Sequence, residues 1–244
     1  MKTVAIIQAR MGSTRLPGKV LMDLGGRSAL ARVVRRVRRC SRVDEVVVAT
    51  TCSRADDAIV RECEALDVKA LRGSEDDVLD RYYRAAREFV AEIVVRITAD
   101  CPLIAPDVVD QTIAALVNES ADYASNVFPR TYPRGLDVEA FTMNALSQAW
   151  READQGYQRE HVTPYFYEHP EIFRSTSVRN RHDYNQYRWT LDTADDLALL
   201  RAIYDRLGNR DDFDWREAIE VMQSEPELST INAHVRQKAL YAIG

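Results

Sequence analysis

The sequence predicts an α/β domain built on a doubly wound, mostly parallel sheet. Three observations carry that expectation. Short continuous apolar runs stand at residues 4–7, 46–48 and 93–95, the pattern of strands covered on both faces rather than on one. Amphipathic helical stretches fall between them, giving a β–α–β–α–β order over residues 4–71, and that alternation builds parallel sheets with helices on both sides. Finally, 244 residues without repeat, low-complexity tract or linker are enough for one well-buried core.

The elements follow in order. Residues 4–7 form the first strand. Residues 28–40 read as a helix, with Leu30, Val33, Val34 and Val37 as its apolar stripe and Arg32, Arg35, Arg36, Arg38 and Arg39 on an expected solvated face. A strand at 44–51, a helix at 54–66 and a short strand at 67–71 come next. Gly73 and Ser74 then turn the chain, with Ser74 as the expected N-cap of a helix reaching about residue 90 and Asp77 at the capping-box position. Residues 93–99 form the central strand, stopped by Pro102. A helix over 107–117 carries Pro106 in its first turn. Residues 121–127 read as a strand, the alternation over 137–141 as an edge strand, and 142–154 as a helix. Residues 187–191 are the last expected strand. Thr193 and Asp196 then cap a helix over 194–209, another helix spans 213–222, and Val235 and Leu240 are available to dock the tail.

In such a sheet ligands bind outside the carboxyl ends of the strands, so the loops after them carry the chemistry. The first is the most informative. Residues 8–19 read Gln-Ala-Arg-Met-Gly-Ser-Thr-Arg-Leu-Pro-Gly-Lys. Gly12 and Gly18 let backbone N–H groups approach an anion, and Arg10, Arg15 and Lys19 neutralise it. A polyphosphate suits that turn. It is not a Walker A loop: five residues separate Gly12 from Gly18, and Val20 follows Lys19 where a magnesium-binding hydroxyl is needed.

The same twelve residues resemble the signature of the sugar-acid cytidylyltransferases, the group that activates Kdo and sialic acid, and especially the spore coat polysaccharide biosynthesis protein F branch. The resemblance extends over most of residues 1–200. It implies one three-layer nucleotidyltransferase domain, GT-A-like and Rossmann-like. Its nucleotide-binding part would cover about 1–120, its acceptor and dimer part about 121–190, and C-terminal helices 194–244. It implies transfer of CMP from CTP to a sugar acid with Mg²⁺, release of pyrophosphate, and a homodimer. By the same resemblance Ala9, Arg10, Gly12, Ser13, Arg15 and Lys19 meet the nucleotide, with Arg15 and Lys19 also catalytic. Arg72, leaving the third strand, and Thr98, in place of the relatives' usual glutamine, meet the base or ribose.

Asp100 precedes Cys101-Pro102 at the end of the central strand, where a carboxylate can hold Mg²⁺ against substrate phosphates. The resemblance makes it a metal-binding, catalytic aspartate and Asp192 its partner. Relatives of the sialic-acid type carry a further aspartate where this chain has Thr190. The tract 126–139 looks like the acceptor side of the cleft. Arg130 and Arg134 suit a carboxylate or phosphate, accompanied by Asn126, while Asp137 and Glu139 suit sugar hydroxyls. Residues 159–165, Arg-Glu-His-Val-Thr-Pro-Tyr, resemble the spore coat branch, and Glu160 and His161 would line the acceptor pocket or join a dimer contact. Cys101 reads as a bystander thiol, without an obvious base beside it.

Composition excludes other classes. The net charge of −5 argues against general nucleic-acid binding, which needs a basic face. No apolar run approaches a membrane span and none forms a secretory h-region. Cys40, Cys52, Cys63 and Cys101 lack a C-x-x-C pair, so reduced thiols and a cytoplasmic setting are expected. Three rivals remain: a transferase of this fold using another nucleotide or a non-sugar acceptor, a glycosyltransferase, and a non-catalytic nucleotide-binding protein. The missing Asp-x-Asp pattern at residues 100–102 disfavours the glycosyltransferase.

Overall fold

The computed structural model describes residues 1–237, so Leu240 lies outside the described residues. A seven-stranded sheet runs in the order β3-β2-β1-β4-β6-β5-β7. The strands are β1 (Thr3–Gln8), β2 (Glu45–Thr51), β3 (Lys69–Gly73), β4 (Ile93–Thr98), β5 (Tyr123–Ser125), β6 (Glu139–Thr142) and β7 (Ser175–Ser177). Only β6 runs against its neighbours, β4 and β5; the other pairings are parallel. Chain order reverses between β1 and β4, which places the topological switch point, and with it the site, at their carboxyl ends.

Helices cover both faces. On one lie α1 (Ala29–Val37), α2 (Asp57–Ala65), α4 (Pro106–Asn118), α8 (Ala194–Arg206) and α9 (Trp215–Ser224), packed on Ala5, Ile7, Val48, Val95 and Ile97. On the other, α3 (Val78–Glu88), α5 (Met143–Glu152) and α7 (Pro164–Glu168) close over Val4, Ile6, Val47, Val94 and Phe141. The strict alternation of β1 between these two clusters explains its unbroken apolar run: both faces are buried. A short helix, α6 (Gly156–His161), joins α5 to α7.

Most expected elements form within two or three residues of their predicted bounds, and four readings need correction. Arg32 and Arg36 are fully buried rather than solvated. Arg32 donates to the carbonyls of Leu24, Gly25 and Asn209 and to Asp211. Arg36 donates to those of Ile104, Asp211 and Phe213. Their guanidinium groups lie over Tyr204 and Phe213, so each fork fastens α1 to the C-terminal helices. The second correction concerns α3, which is capped by Asp77, whose Oδ1 accepts from Asp80 N at 2.9 Å; Ser74 only accepts from Asp77 N. Third, β6 lies inside the sheet rather than at its edge. Fourth, residues 187–191 form no ladder and make one isolated bridge, at Arg188. Their backbone bonds go to loops instead: Trp189 N to Arg134 O at 2.7 Å and Leu191 N to Asp100 O at 2.8 Å. Gly135 permits that docking, since its φ is +107° and a Cβ there would stand 2.6 Å from the Trp189 carbonyl. Strand β7, Ser-Thr-Ser, had no apolar signal to announce it.

Candidate active site

The turn after β1 is held from below by a residue that sequence reading passed over. Asp56, almost fully buried, accepts from Met11 N at 2.8 Å and also takes the Thr50 and Thr51 hydroxyls and Thr51 N. Burial raises its pKa, but those four donors outweigh burial and the net shift is down. Met11 O in turn accepts from Ser13 N and Gly18 N, both at 2.9 Å. Gly18, at φ +72°, starts a 3₁₀ turn over Lys19–Leu21 and aims Lys19 inward.

Lys19 is the hub. Its Nζ donates to Asp100 Oδ2 at 2.6 Å and to Asp192 Oδ1 at 2.8 Å. The second oxygen of Asp192 accepts from Arg188 at 2.6 Å and pairs with Arg15 at 3.0 Å. Burial lowers the Lys19 pKa, yet Asp100 and then Asp192 more than reverse this and the net shift is up. Burial likewise raises the Asp192 pKa, while Lys19, Arg15 and Arg188 bring it below its ordinary value. Asp192 reaches this point without a sheet strand to carry it: the Leu191–Asp100 backbone bond brings the two segments together. Arg188 is itself aimed by Asp196, the N3 residue of the α8 capping box, at 3.0 Å.

Among the described residues no group of three or more histidine, cysteine or acidic side chains forms a metal cluster. The donor set still suits a hard divalent cation. Asp100 and Asp192 face one point, marked by the nitrogen they share, and Mg²⁺ is usually bound by one or two carboxylates plus phosphate oxygens and water.

Two cavities open from this hub. The first, about 240 Å³, runs along the cationic turn and is walled by Gln8, Arg10, Ser13, Arg15, Lys19 and Val78 among others. The second, about 1060 Å³, is walled by Phe128, Arg130, Arg134, Asp137, Glu139 and Tyr167 among others. They share Arg96, Thr98, Asp100, Glu160, His161 and Asp192, so one continuous cleft joins them at the two aspartates.

Most of the expected site residues meet there, and a few do not. Arg72 lies outside the lining: it donates to Thr51 O, Ser53 O and Asp57, which spends its fork on the β2–α2 loop. Asn126 is buried beneath the acceptor loop, donating to Leu136 O and accepting from Val138 N, a structural clasp rather than a ligand group. Ala9 bonds Ala49 O and is shut in the core. Gly12 faces Glu75, whose Oε1 would stand 3.1 Å from a Cβ there, and Glu75 also pairs with Arg10 at 3.4 Å. Thr98 Oγ1 contacts Cys101 Sγ at 3.3 Å. Burial pushes the Cys101 thiol well above its ordinary range, which suits a packed thiol and not a nucleophile.

In the wider cavity Arg130 is spent on Asp137 through both forks, one bond of 2.8 Å. Glu139 accepts from Arg96 at 2.6 Å and from the Tyr123 hydroxyl. Arg134 differs: no carboxylate among the described residues comes within ion-pair distance of it. Burial first, and Arg130 next, lower its pKa, against a smaller opposing pull from Asp137. Arg96 and Arg188 were missed as site residues. Each had a sequence signal: an arginine inside an apolar strand run, and an arginine four residues before Asp192.

A cationic turn at the switch point of an α/β sheet, facing two carboxylates across a two-part cleft, defines a nucleotidyltransferase. The family model for cytidylyltransferases matches residues 4–220. An uncharacterized protein of Methanocaldococcus jannaschii is 39% identical over 98% of both chains. The spore coat polysaccharide biosynthesis protein SpsF of Bacillus subtilis is 34% identical over 92% of this chain and 95% of its own. The solved structure of a cytidylyltransferase from Leptospira borgpetersenii superposes with a TM-score of 0.90 at 33% identity, covering 98% of this chain and all of that one. The chain belongs to the cytidylyltransferase family. Among the described residues no helix is long and apolar enough to cross a membrane.

Proposed function

We propose that the protein transfers CMP from CTP to an acidic sugar, with release of pyrophosphate, in the synthesis of a surface or spore coat polysaccharide. The observation that carries this reading is the shared hub. Lys19 and Arg15 touch the same carboxylate that closes the acceptor cavity, so a nucleotide on one side and an acceptor on the other meet at one place.

CTP lies along the first cavity, its triphosphate against Arg10, Ser13, Arg15 and Lys19. Asp100 and Asp192 would hold Mg²⁺ there. When bound, that ion supplies charge neutralisation at the phosphate oxygens and a template for their orientation. The acceptor enters the second cavity, where Arg134 pairs with its carboxylate and Glu160 and His161 border its reacting end. A sugar hydroxyl attacks the α-phosphorus in line. A new P–O bond forms, the bond from the α-phosphorus to the bridging oxygen breaks, the hydroxyl proton passes to solvent, and pyrophosphate leaves against Arg15 and Lys19. The residues act by positioning and by countering charge, which suffices for phosphoryl-group chemistry.

The relative named for spore coat polysaccharide biosynthesis supports the polysaccharide setting, and Arg134, with no carboxylate partner among the described residues, supports an acidic acceptor. Chain pairing into a homodimer and residence in the cytoplasm belong to the same proposal. The test is pyrophosphate release from CTP with a panel of acidic sugars, with and without Mg²⁺. The reading expects turnover with one or more 2-keto sugar acids and none with their neutral analogues. Equal turnover with UTP or GTP would replace it by a transferase of another base. Tight CTP binding without turnover on any acceptor would make the protein a binding module.

A further inference from the structure

Two successive residues beside the cleft hold backbone conformations that their sequence disfavours. Val162, just past α6, has φ +71° and ψ −55°. Thr163 N donates to His161 O at 2.8 Å, so residues 161–163 close a three-residue γ-turn of the rare, strained hand. A β-branched residue is an outlier there. Thr163 lies in the α region, at φ −96° and ψ −11°, although it precedes Pro164, whose ring disfavours that region for the residue before it.

Four other non-glycine residues among the described ones have positive φ: Asp67, Val90, Ser120 and Asn209, all between +50° and +54°. Each stands shortly after a helix, where a left-handed residue commonly ends it, and none walls the cleft. Val162 differs on both counts. Its ψ falls outside the left-handed region, and its neighbours on either side wall the cleft. Glu160 and His161 stand where the two cavities join, and Thr163 and Pro164 in the wider one.

Surrounding contacts hold the turn. The Val162 side chain is fully buried in the cluster of Val94, Phe141 and Phe166, and burial offsets backbone strain. The Val162 N–H donates to Gln158 O at 2.9 Å. Arg159 Nε donates to Asp77, the cap of α3, at 2.8 Å, and the Gln158 side chain donates to Glu168, the last residue of α7, at 2.8 Å. Glycine at 162 would make the same turn without strain, but it would also be free to leave it. Valine is pinned by its buried side chain. Strain maintained by its surroundings beside a site is a mark of pre-organisation. We propose that Val162 is a positioning residue: the strained turn fixes Glu160 and His161 at the junction of the cavities, so that the acceptor's reacting end meets the nucleotide in one orientation. This rests on the acceptor reading of the wider cavity.

The test compares Val162→Gly and Val162→Thr with the wild-type chain, using CTP, Mg²⁺ and the acidic sugar of the panel that the wild type turns over fastest. Threonine keeps the branched shape but puts a hydroxyl among apolar groups, so the melting temperature should fall while the turn stays. Val162→Gly should lose about tenfold or more in kcat, the scale of a small misplacement at the reacting centre. Val162→Thr should keep wild-type kcat despite its lower melting temperature. Both variants should still bind CTP, because Arg10, Ser13, Arg15 and Lys19 lie off this turn. Wild-type kcat in Val162→Gly overturns the assignment. So does a kcat in Val162→Thr that falls as far as in Val162→Gly, or loss of CTP binding in Val162→Gly, each of which makes Val162 an ordinary core residue. No turnover by the wild type on any sugar of the panel overturns the functional reading and the assignment with it, a result distinct from wild-type rates in the variant.

Discussion

Asp100 and Asp192, at the ends of two segments far apart in the chain, accept hydrogen bonds from a single nitrogen of Lys19, at 2.6 and 2.8 Å. The backbone bond from Leu191 N to Asp100 O locks those segments side by side. Two carboxylates so close repel each other, and the ammonium between them converts that repulsion into attraction. The same ammonium belongs to the turn expected to hold a triphosphate. On the proposed function Lys19 would have two sets of anions to serve, and an exchange between them would tie substrate binding to the freeing of the carboxylates.

Loss of Lys19 charge should cost turnover without losing the fold's secondary structure. Lys19→Met is expected to lower kcat for pyrophosphate release by about 100-fold or more, the scale of removing one charge-stabilising donor. Circular dichroism of the variant should match the wild type. Wild-type turnover in Lys19→Met would remove the turn from the reaction.

Asp100 offers a cleaner test of the metal assignment. Asp100→Asn keeps shape and one acceptor oxygen but removes the charge that a divalent cation needs. Magnesium-dependent pyrophosphate release should fall at least about 100-fold. Retention of full magnesium-dependent release would transfer the metal to other groups.

Arg134 separates acceptor binding from nucleotide binding. A charge-assisted pair is worth about 1.5–3 kcal/mol, so Arg134→Met should raise KM for an acidic acceptor by roughly 10- to 100-fold. KM for CTP should stay put, because Arg134 walls only the wider cavity. Arg130→Met should do less to acceptor binding and more to stability, since it strips Asp137 of its bidentate partner. Equal effects of both on acceptor KM would refute the distinction.

How far the sequence disclosed this site follows from which interactions are local. The turn after β1 is legible because glycines and cations are clustered within it, and Asp100 is legible because a proline marks the strand end. The core strands are legible because both faces are apolar. Arg72, Asn126, Arg32 and Arg36 were not. Their roles depend on which distant carbonyl a long or forked side chain reaches, and residue type alone is silent about that. Tyr187, Trp189 and Leu191 alternate like a strand, yet their partners are the loops at Arg134 and Asp100 rather than a neighbouring strand. Asp56 was invisible for a related reason: it acts by accepting from Met11 N, 45 residues away.

The pH dependence of stability follows from Asp192. Its folded pKa lies below the ordinary 3.8, so its charged form stabilises the fold. That contribution is fully present above the unfolded value and is lost as pH falls through the lowered folded value. Lys19 has the opposite sense: its raised pKa gives stability present below 10.5 and lost only as pH rises beyond it. Both contributions are intact at neutral pH. Chemical denaturation across pH 3–7 should show a decline at the acid end that is shallower in Asp192→Asn. An identical acid slope in the variant would mean that other carboxylates carry it.

The exchange at Lys19 makes a prediction about metal binding without nucleotide. In the wild-type chain a divalent cation must compete with an ammonium that already bonds both carboxylates. Removing one member of a buried pair leaves uncompensated charge, at a cost of roughly 3–5 kcal/mol when burial is deep. The Asp100 side chain is 24% exposed and that of Asp192 11%, so the cost in Lys19→Met should fall at or below that range. The two carboxylates would then face each other with Arg15 and Arg188 on Asp192 alone. Millimolar Mg²⁺ should raise the melting temperature of Lys19→Met more than that of the wild type, because the ion replaces the missing charge at the same point. Adding Asp100→Asn to the variant should abolish the extra rise, since only one of the two acidic ligands is left. Melting curves with Mg²⁺ and with a chelator measure this directly. If wild type and Lys19→Met respond equally, the ammonium and the cation do not share a site, and Asp100 and Asp192 serve to hold Lys19 rather than a metal.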